Sequence, residues 1–215
     1  MNCGRLGAVI NDQSVIAVIP ARGGSKRVPM KNVAFYRGRP LLQWAIDAAK
    51  ESKYLDDFCV SSEDSNILGI ALQLGAKAEK RPAWLATDRA MTEGVLIHLL
   101  YTWKWADWIV LLQPTSPLRT AEDIDTCIER ASLDMGIGCL TLNEHGRRNG
   151  AVYVVKSEWL ISSVEFNRDL DRNYLVMPNN RSLDIDYPPD FRFDPERERE
   201  MESSHHSQML EQWKK

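Results

Sequence analysis

Val15-Ile16-Ala17-Val18-Ile19-Pro20-Ala21-Arg22-Gly23-Gly24-Ser25-Lys26-Arg27-Val28-Pro29-Met30-Lys31-Asn32 is the stretch from which the rest of the chain is read. Its first five residues are an apolar, β-branched run ended by proline, the signature of a short buried strand. Two glycines follow at once, where a chain without Cβ atoms can turn sharply and bring its backbone close to a ligand. Successive backbone N–H groups in such a turn form an anion-binding nest. Arg22, Lys26, Arg27 and Lys31 put four cations within ten residues. Strand, glycine turn and cations together point to a phosphate site at the strand's carboxyl end; the alternative is a solvated basic loop. The spacing is neither G-x-x-x-x-G-K-[ST] nor G-x-G-x-x-G.

Outward from this stretch, strand-like and helix-like segments alternate. Residues 40–51 (PLLQWAIDAAKE) carry apolar side chains at helical spacing behind an initial proline. Phe58 to Val60 reads as a second strand closed by a polar turn, Ser61-Ser62-Glu63-Asp64. A helix is expected over 65–74, with Gly75 as its stop. Another is expected over 92–103, with Thr92 as N-cap and Glu93 in its first turn. Trp108 to Leu112 (WIVLL) predicts a central strand, and the polar loop 113–120 leads into a helix over 121–131 capped by Thr120. Residues 138–142 and 151–155 are two further strands. Such alternation predicts an α/β fold, a mostly parallel sheet with right-handed crossovers and helices on both faces. Ligands in these folds sit at the carboxyl ends of the strands.

Composition narrows the function. The 215 residues suffice for one cored domain, and 44% hydrophobic with 27% charged residues is ordinary for a globular chain. Lys plus Arg is 27 against 30 Asp plus Glu, net −3, so the basic excess of a nucleic-acid-coating protein is absent. Cys3, Cys59, Cys127 and Cys139 show no C-x-x-C spacing and, with His98, His145, His205 and His206, no zinc pattern. They read as reduced thiols of a cytoplasmic protein. No apolar run approaches a membrane span, and the first residues (MNCGRLGAVINDQ) do not form a convincing signal peptide. The expected organisation is one domain over 14–192, an extension over 1–13 and a charged tail over 193–215, read as a surface helix or frayed end.

Four more constellations carry candidate chemistry. In Ser182-Leu183-Asp184-Ile185-Asp186, the two carboxylates at i and i+2 fall on one side of an extended chain and the two apolar residues on the other. Beside phosphates such a pair suits Mg²⁺, which takes few protein oxygens and keeps waters; the alternative is an edge strand with a solvated acidic face. Leu112-Gln113-Pro114-Thr115-Ser116-Pro117-Leu118-Arg119 offers neutral donors and acceptors on a loop stiffened by two prolines. Arg81 and Asp88, in KRPAWLATDRAMTE, are candidates for phosphate or ribose contact or plain surface residues. Asn149 and Tyr153, in NGAVY, suit a polyol, or a turn and the core.

Six motifs in this order, P-A-R-G-G-S-K-R-x-P-x-K-N, V-S-S-E-D, R-P-x-x-L-A-x-D, L-L-Q-P-T-S-P-L-R, N-G-A-V-Y and S-x-D-I-D, make the chain resemble the N-acylneuraminate cytidylyltransferases from about residue 16 to 191. The resemblance implies a three-layer, Rossmann-like nucleotidyltransferase fold of the nucleotide-diphospho-sugar transferase type. It implies transfer of CMP from CTP to the anomeric hydroxyl of a nonulosonic acid, with release of pyrophosphate. Carried over by motif, Arg22, Lys26 and Lys31 would hold the triphosphate beside the Ala21–Gly23 backbone. Asn32, Arg81 and Thr92 would line the cytidine side, and Gln113, Thr115 and Ser116 would lie between nucleotide and sugar. Asn149, Tyr153 and Arg147 would meet the acidic sugar, and Asp184 and Asp186 would hold Mg²⁺. The 3-deoxy-octulosonate branch fits less well, since its first loop lacks the G-G-S-K run.

One departure stands out. Family members carry several tens of residues between the helix ending near Ala131 and Asn149, an arm that the resemblance assigns to dimerisation and sugar binding. Here only 132–148 (SLDMGIGCLTLNEHGRR) lie between them. The expected partners are therefore CTP and an acidic nine-carbon sugar, with a homodimer weakened or rearranged. The sugar is sialic acid or a legionaminic, pseudaminic or Kdn-type relative, and R-P-x-x-L-A-x-D leans away from pseudaminic acid. The rival is a nucleotide-binding module that no longer turns over.

Overall fold

The computed structural model describes residues 12–133, 137–162 and 173–191. The expected extension over 1–13, all but its last two residues, and the tail over 193–215 lie outside them, as do Cys3, His205 and His206. In chain order the elements are β1 (Val15–Pro20), a two-strand ribbon β2 (Phe35–Tyr36) and β3 (Arg39–Pro40), α1 (Leu41–Glu51), β4 (Asp57–Ser62), α2 (Ser65–Gln73) and β5 (Lys77–Lys80). There follow α3 (Thr92–Thr102), β6 (Trp108–Leu111), α4 (Ala121–Leu133), β7 (Gly138–Leu142), β8 (Arg148–Lys156), α5 (Ser157–Ser162) and β9 (Tyr174–Val176).

Seven strands form one sheet in the order β5-β4-β1-β6-β8-β7-β9. Pairings β4–β5, β1–β4, β1–β6 and β7–β9 are parallel, and β8 alone runs against its neighbours β6 and β7. The strands alternate their side chains between two cores. From β1, Val15, Ala17 and Ile19 enter one apolar cluster, packed with residues of α1, α2 and α4. Ile16 and Val18 enter the other, with residues of α3 and α5. β6 divides likewise, Trp108 and Val110 to the first side, Ile109 and Leu111 to the second. A strand buried on both faces reads as an unbroken apolar run, which is why VIAVI and WIVLL were legible.

The expected α/β class, the mostly parallel sheet and the helices on both faces are observed. Three local expectations change. Ser61 and Ser62 are the last residues of β4, fully buried, and the turn is only Glu63-Asp64. Asp64 caps α2, its carboxylate accepting from the Asn66 and Ile67 N–H groups. Met91, not Thr92, is the N-cap of α3, and it makes no side-chain cap. Residues 182–186 join no strand of the sheet, although Ile185 is buried and Leu183 packs on the same small cluster as Tyr36 and Leu41. Thr120 does cap α4, its hydroxyl accepting from the Asp123 N–H at 3.3 Å. Gly75 ends α2 with φ +75°, as its stop position requires.

Candidate active site

Parallel neighbours β1, β4 and β6 end on one edge, and the loops leaving them build a cleft of about 560 Å³. Ser61 O accepts from Ala21 N at 2.9 Å and Ser62 O from Arg81 N at 3.0 Å, so the end of β4 holds both walls. The glycine loop after β1 is pinned further by Asn32, whose Nδ2 donates to Arg22 O at 2.9 Å. Of the expected site residues, Arg22, Lys26, Lys31, Asn32, Arg81, Thr92, Gln113, Thr115, Asp184 and Asp186 all line the cleft, though some come from opposite ends of the chain. Arg27 and Asp88 line it too.

Every one of its cations faces a carboxylate. Asp88 takes Arg22 at 3.0 Å and Lys26 at 2.5 Å. Its carboxyl is held below the usual range chiefly by the bond from Lys26, with Arg22 adding to it. Asp186 takes Lys31 at 2.8 Å and Arg27 at 3.5 Å, and Lys31 also donates to Ile185 O at 3.1 Å. Arg81, 4% exposed, is paired with Glu63 at 3.2 Å. Burial lowers the Arg81 pKa, and Glu63 pulls it back.

Asp184 opens onto the cleft but is walled by enough protein that desolvation raises its pKa; the bond with Thr115 opposes this and Asp186 reinforces it. Among the described residues no group of three or more His, Cys, Asp or Glu side chains is placed to hold a metal alone. The donor set that is present, the two hard carboxylates Asp184 and Asp186 lining the cleft beside its cations, is of the kind that suits a Mg²⁺ ion completing its shell with other oxygens and water.

The other expected residues stand off the cleft. Ala21 is fully buried, and Gly23 N–H donates to Glu63 Oε1 at 2.8 Å. Ser116 is buried, its hydroxyl donating to Asn149 O at 3.0 Å. Asn149 is 3% exposed, with Oδ1 accepting from Thr141 Oγ1 at 2.7 Å and Nδ2 directed to Ser182 Oγ and Met177 Sδ, both at 3.3 Å. Its side chain is spent on joining β7, β8 and the segment that leads to Asp184. Tyr153 belongs to the α3–α5 core. Arg147 is exposed beside the hairpin turn that Asn143 and Gly146 close between β7 and β8.

Three residues around the site escaped the sequence reading. Glu63 looked like one more polar turn residue. Arg119, 4% exposed, donates through Nη1 to Gln113 O at 3.0 Å and Ala151 O at 2.6 Å, bracing the 113–120 loop against β8. Burial pushes its pKa down to about 9. Asp123, buried in α4, grips Arg181 through two bonds of 2.9 and 3.1 Å.

The family model for cytidylyltransferases matches residues 16–201, which include every residue that lines this cleft. The chain belongs to the cytidylyltransferase family. It is, with that family, a CTP-dependent nucleotidyltransferase. Among curated relatives of this cytidylyltransferase, the CMP-N,N'-diacetyllegionaminic acid synthase of Legionella pneumophila is 29% identical over 82% of the chain and 93% of its own length. An N-acylneuraminate cytidylyltransferase of Streptococcus agalactiae is 30% identical over 82% of the chain but only 51% of its own length, so the chain spans about half of that relative. The pseudaminic acid cytidylyltransferase of Campylobacter jejuni is 29% identical over 77% of the chain and 65% of its length. A solved CMP:2-keto-3-deoxy-manno-octonic acid synthetase superposes with TM-score 0.68 at 16% identity, covering 89% of this chain and 99% of that one. That last likeness is one of fold.

Proposed function

We propose that this cytidylyltransferase transfers CMP from CTP to the anomeric hydroxyl of a nonulosonic acid and releases pyrophosphate. The observation that carries the reading is the cleft itself, where Arg22, Lys26, Arg27, Lys31 and Arg81 converge opposite Asp184 and Asp186 at the carboxyl edge of the parallel strands. The anomeric oxygen forms a bond to the α-phosphorus as the bond from that phosphorus to the pyrophosphate bridging oxygen breaks, and the hydroxyl proton leaves to water. No covalent enzyme intermediate is required, so the protein's work is alignment and charge neutralisation.

Arg22, Lys26 and Lys31 take the triphosphate, with Ala21 and Gly23 shaping the backbone that carries them. Asn32, Arg81 and Thr92 form the nucleoside side, and Gln113 and Thr115 lie between nucleotide and sugar. Ser116, Asn149 and Tyr153 act from behind that wall by fixing its shape, and Arg147, exposed at the β7–β8 turn, is the cation assigned to the sugar carboxylate. Asp184 and Asp186 would hold Mg²⁺, which when bound supplies positive charge to the reacting phosphoryl group. The relatives support an acidic nine-carbon sugar of sialic, legionaminic or pseudaminic type as acceptor. The reading takes the reaction to be cytoplasmic and the assembly to be a homodimer weakened or rearranged by the short arm. Among the described residues no helix is long and apolar enough to cross a membrane.

The test is pyrophosphate release from CTP and Mg²⁺ with a panel of nonulosonic acids. Release with one sugar, and with CTP but not UTP or ATP, is the expected result. Bound CTP without release on any sugar would overturn the assigned reaction.

A further inference from the structure

Glu63 touches both walls of the cleft yet has no part in the chemistry above. Its Oε1 accepts from the Gly23 N–H at 2.8 Å, on the phosphate loop. Its Oε2 accepts from Arg81 Nε at 3.3 Å and Nη2 at 3.2 Å, on the opposite wall. The residue sits at the mouth of β4, whose last two carbonyls already hold Ala21 and Arg81, so its backbone is fixed where the two walls meet. The fit at Gly23 is close: a Cβ there would lie 2.7 Å from Asp64 Oδ2 and 3.1 Å from Asp64 Cβ. Arg81 is nearly buried, and its charge is disfavoured by that burial and by Arg22 nearby, so without Glu63 it would have reason to swing out.

We infer that Glu63 is a positioning residue that sets the separation between the phosphate loop and Arg81, and so the distance over which the cleft grips a nucleoside triphosphate. The inference rests on the reading of this cleft as a CTP site. A ligand that engages only the loop should be indifferent to that separation, whereas one that spans both walls should not be. Inorganic pyrophosphate is the first kind of ligand and CTP the second. Glu63→Gln keeps an oxygen for Gly23 N–H but removes the negative charge that holds Arg81.

Calorimetric titration of wild type, Glu63→Gln, Arg81→Ala and the double variant with CTP and with pyrophosphate tests this, with thermal unfolding to confirm that each is folded. Glu63→Gln should weaken CTP about tenfold, the scale of one charge-assisted hydrogen bond, while pyrophosphate stays within about twofold. Arg81→Ala should behave alike, and the double variant should lose no more than the worse single one, because both remove one interaction. Equal loss for the two ligands, no loss for either, or additive losses for CTP would overturn the positioning role alone. Wild type that fails to bind CTP would overturn the reading of the cleft and this inference with it.

Discussion

Asp88 answers two cations at once, Arg22 and Lys26, both of which a phosphate would also seek. An exposed pair of this kind adds little stability, so its consequence is competition: an incoming polyphosphate must displace a carboxylate, and a departing one is replaced by it. Asp88→Asn should therefore bind inorganic pyrophosphate several-fold more tightly, read as stronger product inhibition. Because the carboxyl is held below its ordinary value, its pairing is present above the usual aspartate range and lost only as pH falls through the lowered value. The difference between Asp88→Asn and wild type should then be unchanged between about pH 8 and pH 5, since aspartate ordinarily titrates near 3.9. Lys31 is the reverse case, 16% exposed and bonded to Asp186 and Ile185 O. Lys31→Ala should weaken CTP binding about tenfold or more, a charged contact's worth; unaltered affinity by titration would leave the loop as mere surface.

At the scale of the element, α4 does more than cover the sheet. Its capping residue Thr120 and its Asp123 bond each other, and Asp123 then holds Arg181, three residues before Asp184. The helix start thus anchors the strand-free segment that carries the two carboxylates. Asp123→Ala leaves Arg181 without its partner and the buried Arg119 without a nearby negative charge, which should cost about 3 kcal/mol. In thermal unfolding that is a fall of roughly 6–12 °C for a chain of this size. Gly150 is a second such point, with φ +72° and no room for a Cβ beside Gln113 Oε1. Gly150→Ala should lower kcat, because the displaced group is Gln113 in the cleft wall, and also the melting temperature, because a side chain at φ +72° strains the backbone. These devices explain what the sequence could and could not tell. VIAVI, WIVLL, the glycine turn and Asp184-x-Asp186 are local signals, complete within a few residues. Glu63 acquires its meaning from Gly23 and Arg81, 40 and 18 residues away, and Asp123 from Arg181, 58 residues away. Asn149 was legible as part of a motif, but its burial was not.

At the scale of the whole molecule, the strands of the seven-stranded sheet that escaped notice are those at its rims, and the two-residue strands of the β2–β3 ribbon were too short to mark. β5 reads Lys77-Ala78-Glu79-Lys80 and pairs on one side only, so neither an apolar run nor clean alternation marks it. β9 has three residues and borders β7 alone. The link from α4 to β8, where the resemblance places the family's arm and this sequence is short, holds among its described residues the strand β7 and a tight turn. Light scattering coupled to gel filtration measures what that leaves of the assembly: a stable dimer at micromolar concentration is expected, held by a surface other than the arm, and a monomer at all concentrations would show that the arm was what held the pair. The sheet order also bears on how the chain is made. β1 lies between β4 and β6, with Ile16 opposite Asp57 on one side and Ile109 on the other. On the ribosome, at about 5–20 residues per second, β1 emerges before both of these neighbours and waits roughly 5–20 s for the second to be synthesised. Throughout that interval a β-branched, uncharged edge is open to any other nascent chain. Crowded polysomes and rapid overexpression are therefore where this protein is most exposed to misassembly, and less frequent initiation, which spaces nascent chains apart without lengthening the wait, should raise its soluble yield.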